Sequence, residues 1–174
     1  MDPFIESEMT FGPYPDGHCF RVETSDTYKA VQNGVKMVEF LLLRSQTSKP
    51  PVVWIVEAKP SSPDPKTQPK FREFIRDIHD KLSNGLGLGI AAILKRHPKA
   101  LVELPELFKN LDLEVAEFRL VLVINGHEES WCAPLQDALR KELHAVSKVW
   151  ALGPNAVIVI NHERAKKVGL ISAP

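Results

Sequence analysis

Four dense apolar runs punctuate the chain, at Val35–Arg44, Val52–Lys59, Phe118–Asn125 and Asn155–Ile160. Each is short and rich in Val, Ile, Leu, Phe or Trp, which predicts buried strands. Between the second and third runs, Phe71, Phe74, Ile75, Ile78, Leu82 and Leu86 recur at helical spacing behind Pro69, a residue suited to the first helical position. Leu135, Leu139, Leu143 and Val146 trace a second apolar stripe and predict a helix over Pro134–Val146. Fainter patterns predict an outer strand at Phe4–Met9 and a short strand at Cys19–Glu23. They also predict short helices at Asp26–Gln32, capped by Thr24 or Ser25, around LPELFKNL and at Glu163–Val168. The predicted fold is α/β: a single domain over residues 1–174 with a central mixed sheet flanked by helices, a core at about 17–126 and a helix–strand extension at 127–174. The VIVI run needs cover on both faces, so the C-terminal tail belongs to that fold.

The first two strands, with the turn-prone SQTSKPP between them, form a hairpin with a carboxylate inside each arm. Side chains alternate along a strand, so Glu57 and Lys59 share a face with Val53 and Ile55, while Trp54, Val56 and Ala58 take the other. Glu39 shares its face with Met37 and Leu41. If Arg44 pairs with Val52, Glu39 falls opposite Glu57 and Met37 opposite Lys59. Opposed like charges destabilise a sheet, and a carboxylate in an apolar strand is costly unless compensated. A bound cation would answer both costs.

The Pro-rich segment PSSPDPKTQP follows Lys59 and lies beside this proposed site. On the long helix behind it, Lys70, Arg72, Arg76, His79 and Lys81 alternate with Glu73, Asp77 and Asp80. That pattern reads as a solvated face laced with salt bridges, with phosphate contact as the alternative. The GLGLG run at 85–89 marks either a helix break or a close approach of helix to sheet. It is no dinucleotide fingerprint, because a helix and not a strand feeds it.

Charge narrows the function. Lys plus Arg and Asp plus Glu number 22 each in 174 residues, so any contact with nucleic acid must come from a local patch. MDPFIESEM lacks a basic segment with an apolar core, and no apolar run reaches membrane-spanning length; a cytoplasmic protein with no membrane contact is expected. Cys19 and Cys132 read as buried lone thiols, the six histidines lack ligand spacing, and neither Gly-x-Ser-x-Gly nor His-Glu-x-x-His occurs.

Val38-Glu39-Phe40-Leu41-Leu42 and Ile55-Val56-Glu57-Ala58-Lys59 resemble the paired motifs of the PD-(D/E)XK, or restriction-endonuclease-like, nuclease superfamily, which carries an acid on the first strand of its core hairpin and Glu-x-Lys on the second. The order strand, strand, helix, strand, after a strand at 19–23, extends the likeness over roughly residues 17–126. Val38 stands where the family name has Pro and Glu39 where the family usually has Asp, and a short helix replaces the usual turn before the hairpin. The resemblance implies a restriction-endonuclease-like core and metal-dependent hydrolysis of phosphodiester bonds in DNA, with RNA the lesser expectation. Glu39, Glu57 and the Ala58 carbonyl are then the ligands to Mg²⁺ or Mn²⁺, and Lys59 orients the attacking water or stabilises charge on phosphorus. An acid from before the hairpin often joins such a site, and Glu6 and Glu23 are the candidates. The implied partner is nucleic acid, chiefly DNA, with a second copy of the chain or a partner protein supplying specificity. Two alternatives stand beside this: a catalytically inactive module on the same scaffold that binds nucleic acid or protein, and a structural ion pair between Lys59 and Glu57 or Glu39 without metal.

Overall fold

The computed structural model describes residues 1–45 and 48–172, so Gln46 and Thr47 of the predicted SQTSKPP turn lie outside the described residues. The chain begins with β1 (Phe4–Glu6) and β2 (Met9–Phe11), then β3 (Cys19–Phe20), α1 (Asp26–Lys29), β4 (Phe40–Arg44) and β5 (Val52–Lys59). α2 (Lys70–Ile93), α3 (Ala100–Glu103), α4 (Glu106–Lys109) and β6 (Glu117–Ile124) follow, and α5 (Glu129–Glu142), α6 (His144–Val149), β7 (Val157–Asn161) and α7 (His162–Lys167) complete it.

Five strands make one mixed sheet in the order β3-β4-β5-β6-β7. The first two pairings are antiparallel and the last two parallel. α2 lies in the crossover from β5 to β6, and α5 and α6 in that from β6 to β7. On one face Leu41, Leu43, Val53, Ile55, Leu120 and Leu122 pack with Ile75, Ile78 and Leu82 of α2 and Leu135 and Leu139 of α5. The other face buries Phe40, Leu42, Val56, Ala58, Val121 and Val123 with Met9 and Phe11 of the β1–β2 hairpin and Leu170 and Ile171 of the tail. Each of these side chains larger than that of Ala58 stabilises the fold by roughly 1.5–3 kcal/mol. As the pattern demanded, β7 is covered on both sides: Val157 and Val159 join the first cluster, Ile158 and Ile160 the second.

The N-terminal hairpin is tied to the tail. The Gly12 N–H donates to the Leu170 carbonyl at 3.2 Å and the Ser172 N–H to the Thr10 carbonyl at 3.0 Å. The Tyr14 hydroxyl donates to the Leu170 carbonyl at 2.7 Å. Phe4, Phe11 and Phe40 meet in an aromatic cluster with ring centroids 5.2–5.9 Å apart. That clamp fixes Glu6, at the end of β1, against the end of the main sheet.

The strand expected from Val35 begins at Phe40 instead. The ladder with β5 ends at Phe40–Val56, and the Glu39 N–H bonds to the Val56 carbonyl one residue out of register, which breaks the pairing before Phe40. Gly34, at φ +77°, turns the chain there, and Met37 is not opposite Lys59. The strand expected over Phe4–Met9 is two strands, because Ser7 and Glu8 at φ 49° and 63° fold it back on itself. The strand at Cys19–Glu23 is reduced to two residues and the helix at Asp26–Gln32 to one turn, with Ser25 as its cap. α5 begins at Glu129, not Pro134, and ends at Glu142 before α6. Pro134 sits inside it and costs one hydrogen bond, to the Ser130 carbonyl. α2 runs unbroken through the glycines. A Cβ on Gly85 would lie 2.6 Å from Val38 Cγ2 and one on Gly89 2.9 Å from Leu41 Cδ1, so these residues let the helix lie directly on the hairpin.

Candidate metal centre

Arg44 pairs with Val52 as the hairpin pattern requires, and the ladder continues to Phe40–Val56. Beyond it the Glu39 N–H donates to the Val56 carbonyl at 3.1 Å, one residue out of the ladder's register, so Glu39 is not held opposite Glu57 as the hairpin pattern predicts. Both acids are buried, Glu39 at 7% exposure and Glu57 at 0%. They sit where β4 begins and β5 ends, so the antiparallel pairing delivers them to one end of the sheet.

Two ammonium groups reach Glu57. Lys81 Nζ lies 2.8 Å and Lys59 Nζ 3.1 Å from its Oε1, while its Oε2 is buried without a hydrogen-bond partner. Burial raises the Glu57 carboxyl above its usual value, against the opposing pull of Lys81 and Lys59. Burial also works against the Lys81 charge, but the Glu57 carboxylate outweighs it and holds the ammonium above its ordinary value. Lys59 has a second carboxylate at 3.7 Å, Asp77, itself 3.0 Å from Lys36. Although burial pushes Asp77 upward, Lys36 and Lys59 keep it below the usual carboxylate range. Asp77 is thus a fixed negative partner for the lysine pair.

Glu39 has different company. Its carboxylate oxygens approach those of Glu6 and Glu23, one from each acid lying within 4.8 Å of the others. Glu6 also pairs with Arg21, whose guanidinium stacks on Phe4 at 4.4 Å from the ring centroid. Glu39 Oε2 is buried and unpartnered. Burial pushes the Glu39 carboxyl up to about 9, reinforced by Glu23 and by the charges of Glu57 and Glu6. Without a cation Glu39 therefore holds a proton at neutral pH. A divalent ion would displace that proton and supply the missing partner.

Ala58 turns its methyl into the opposite core cluster. The Val56 carbonyl points toward β4, and carbonyls two apart on a strand point the same way. The Ala58 carbonyl is therefore directed to the side of β4, past the last ladder pair. The donors beside Glu39 are carboxylate oxygens, from Glu6, Glu23 and Glu39 itself, a type that suits a hard divalent cation.

The residues predicted for the site, Glu39, Glu57, Lys59 and the Ala58 carbonyl, thus share one end of the sheet, and both candidate extra acids, Glu6 and Glu23, join Glu39. Lys81 is a correction: read as part of a solvated helix face, it is only 15% exposed and bonded to Glu57. It stands one helical turn before Gly85, and the close approach that Gly85 permits is what carries it to the strand. No family model matches the chain, and neither a curated protein nor a solved structure matches it.

Proposed function

We propose that the protein is a metal-dependent phosphodiesterase acting on nucleic acid, chiefly DNA, with a restriction-endonuclease-like core formed by β3, β4, β5, α2 and β6. One observation carries the reading: at one end of the sheet two buried carboxylates each keep an oxygen without a partner, Glu39 beside Glu6 and Glu23, and Glu57 beside Lys59 and Lys81. An unsatisfied buried carboxylate oxygen is costly, and a ligand relieves that cost.

Glu23, Glu39, Glu57 and the Ala58 carbonyl would hold Mg²⁺ or Mn²⁺. The ion would supply a bound water of lowered pKa and neutralisation of charge on the phosphodiester. Lys59 emerges from the end of β5 with 24% of its side chain exposed, so its ammonium can contact solvent and a substrate phosphate alike. Its role is to orient the attacking water and to stabilise negative charge on the phosphoryl oxygens. Lys81 is a positioning residue: it fixes Glu57 Oε1 and leaves Oε2 for the ion. Asp77 holds Lys59 from the other side.

Incubating plasmid and single-stranded DNA with the protein and Mg²⁺ or Mn²⁺ tests this. Metal-dependent cleavage that disappears in Lys59→Ala while Mn²⁺ binding persists is expected; full cleavage by that variant contradicts it. A second reading, an inactive module on the same scaffold, draws on the two lysines that already compensate Glu57 Oε1. It predicts neither Mn²⁺ binding nor cleavage.

A further inference from the structure

A cleft opens between the loops that leave β5 and β6. The Lys59 carbonyl accepts the Asn125 N–H at 2.9 Å, so both loops depart from one point. Ser62 is three residues beyond Lys59, which limits their Cα separation to about 11 Å, roughly three nucleotide steps at the per-strand rise of a duplex. Ser62 Oγ and His127 Nε2 share a hydrogen bond at 2.8 Å. The His127 ring meets Trp131 edge-on, with centroids 5.4 Å apart and planes at 85°. Asn161 secures this corner: its Nδ2 donates to the His127 carbonyl at 3.0 Å while its Oδ1 accepts the Arg164 N–H at 2.9 Å. Pro63, Pro134 and Leu135 complete a cleft of about 270 Å³.

The chemistry of the lining selects its occupant. At 270 Å³ the cleft falls below the roughly 300–1,000 Å³ of pockets for drug-sized molecules, and suits a single planar ring system. Trp131 is 53% exposed although it belongs to the first turn of an amphipathic helix that buries Cys132, Leu135 and Leu139. Asp64 lies in the lining and repels phosphate. Burial lowers the proton affinity of His127, against the backbone of Asn125, and keeps the ring uncharged. What remains is an aromatic surface with a hydroxyl and an imidazole at its edge, which fits a flat, neutral, hydrogen-bonding heterocycle.

We infer that this cleft is a stacking subsite for an unpaired nucleobase, and that the substrate is a strand with single-stranded or frayed character beside the scissile bond. The inference rests on the nuclease reading for its ligand class. A base within a duplex has both faces stacked and its edges paired, and cannot enter without being extruded. Stacking on an aromatic side chain stabilises binding by roughly 1–3 kcal/mol per base and tolerates any base.

The test is fluorescence anisotropy of end-labelled oligothymidine, of the same strand with abasic positions, and of a blunt duplex, titrated without divalent metal with the full chain and its Trp131→Ala and Trp131→Phe variants. Trp131→Ala should weaken binding of the thymidine strand roughly five- to 150-fold, the range that follows from that stacking contribution, and Trp131→Phe should restore most of the loss. Affinities for the abasic strand and the duplex should not change. Equal binding of the thymidine strand by wild type and Trp131→Ala, equal losses on all three probes, or no strand binding by the wild type would each overturn the subsite. Mn²⁺ titration of the same proteins separates the two readings. Mn²⁺ binding with no effect of Trp131→Ala removes the subsite alone, and a Trp131 effect without Mn²⁺ binding removes the nuclease and keeps the subsite.

Discussion

The two ends of the central sheet differ in what they leave unfinished. At the amino ends of β6 and β7 lies a broad cleft of about 770 Å³, walled by Leu94, Phe118, Trp150 and Leu152 with Glu114 and Arg119 at its rim. Its charged groups are surface groups, and Arg119 already has Glu117 at 3.4 Å. At the carboxyl ends there is much less empty space but a concentration of buried charge: Glu39, Glu57, Lys59 and Lys81, with two carboxylate oxygens lacking partners. Free volume there says little, because hydration and van der Waals contact fill an apolar cleft at small cost. Buried carboxylate oxygens without partners are the more informative feature, since each opposes folding. Parallel strands also place ligands at their carboxyl ends, where loops diverge.

Variants at the two ends sharpen this contrast. The largest effect expected is on turnover: Lys59→Ala should lower metal-dependent cleavage on the order of a thousandfold, the scale of removing one charge-stabilising donor, while Arg119→Ala at the far end leaves it unchanged. Next comes stability. Glu57→Ala strands the buried Lys81 ammonium and should cost about 3–5 kcal/mol in urea unfolding, whereas Trp150→Ser should stay within about 0.5 kcal/mol. The glycines of α2 give a finer pair. Gly85→Ala drives a methyl against Val38 and Ile55 and should cost about 1–3 kcal/mol, while Gly87, with nothing near its Cβ position, should gain up to about 1 kcal/mol as Ala.

The pH dependence is comparable in size to the Gly85 effect. Glu39 titrates near 9 when folded against 4.5 in the unfolded chain, so between those values the folded protein binds more protons. Stability is therefore greatest below about pH 4.5 as far as this group is concerned and declines as pH rises toward 9, by on the order of 1–3 kcal/mol by neutrality. Glu39→Gln should flatten that slope in unfolding curves taken across the range, and a slope unchanged by the substitution would contradict the assignment.

Much of this was legible in the sequence, in a particular way. Register follows from loop symmetry, so the Arg44–Val52 pairing could be read directly, but the out-of-register bond from Glu39 to Val56 could not. The choice between Glu6 and Glu23 could not be, because Glu6 is delivered by the fold-back at Ser7 and Glu8 and the long-range clamps from Gly12 and Tyr14 to Leu170, and Glu23 by the bond of its N–H to the Glu39 carbonyl at 3.5 Å. Lys81 escaped for a related reason. Its helix face carries charges of both signs at spacings that also satisfy a solvated surface. Only the depth to which Gly85 lets α2 settle on Val38 and Ile55 brings that ammonium to Glu57. The strand start at Phe40 was hidden because Met37 and Val38 are as apolar as the strand that follows, yet they are buried outside the ladder, Val38 against Gly85 of α2.

The central claim is that the buried carboxylates are there to hold a divalent ion. Calorimetric titration of Mn²⁺ into the wild type and the Glu39→Gln, Glu57→Gln double variant addresses it most directly, the amides keeping the shape of the site and a partner for Lys81. The account predicts one-site binding by the wild type that strengthens with pH toward about 9, as the Glu39 proton becomes easier to displace, and no binding by the double variant. Equal heats from both proteins, or none from either, would show that these carboxylates serve only the ion pairs with Lys59 and Lys81.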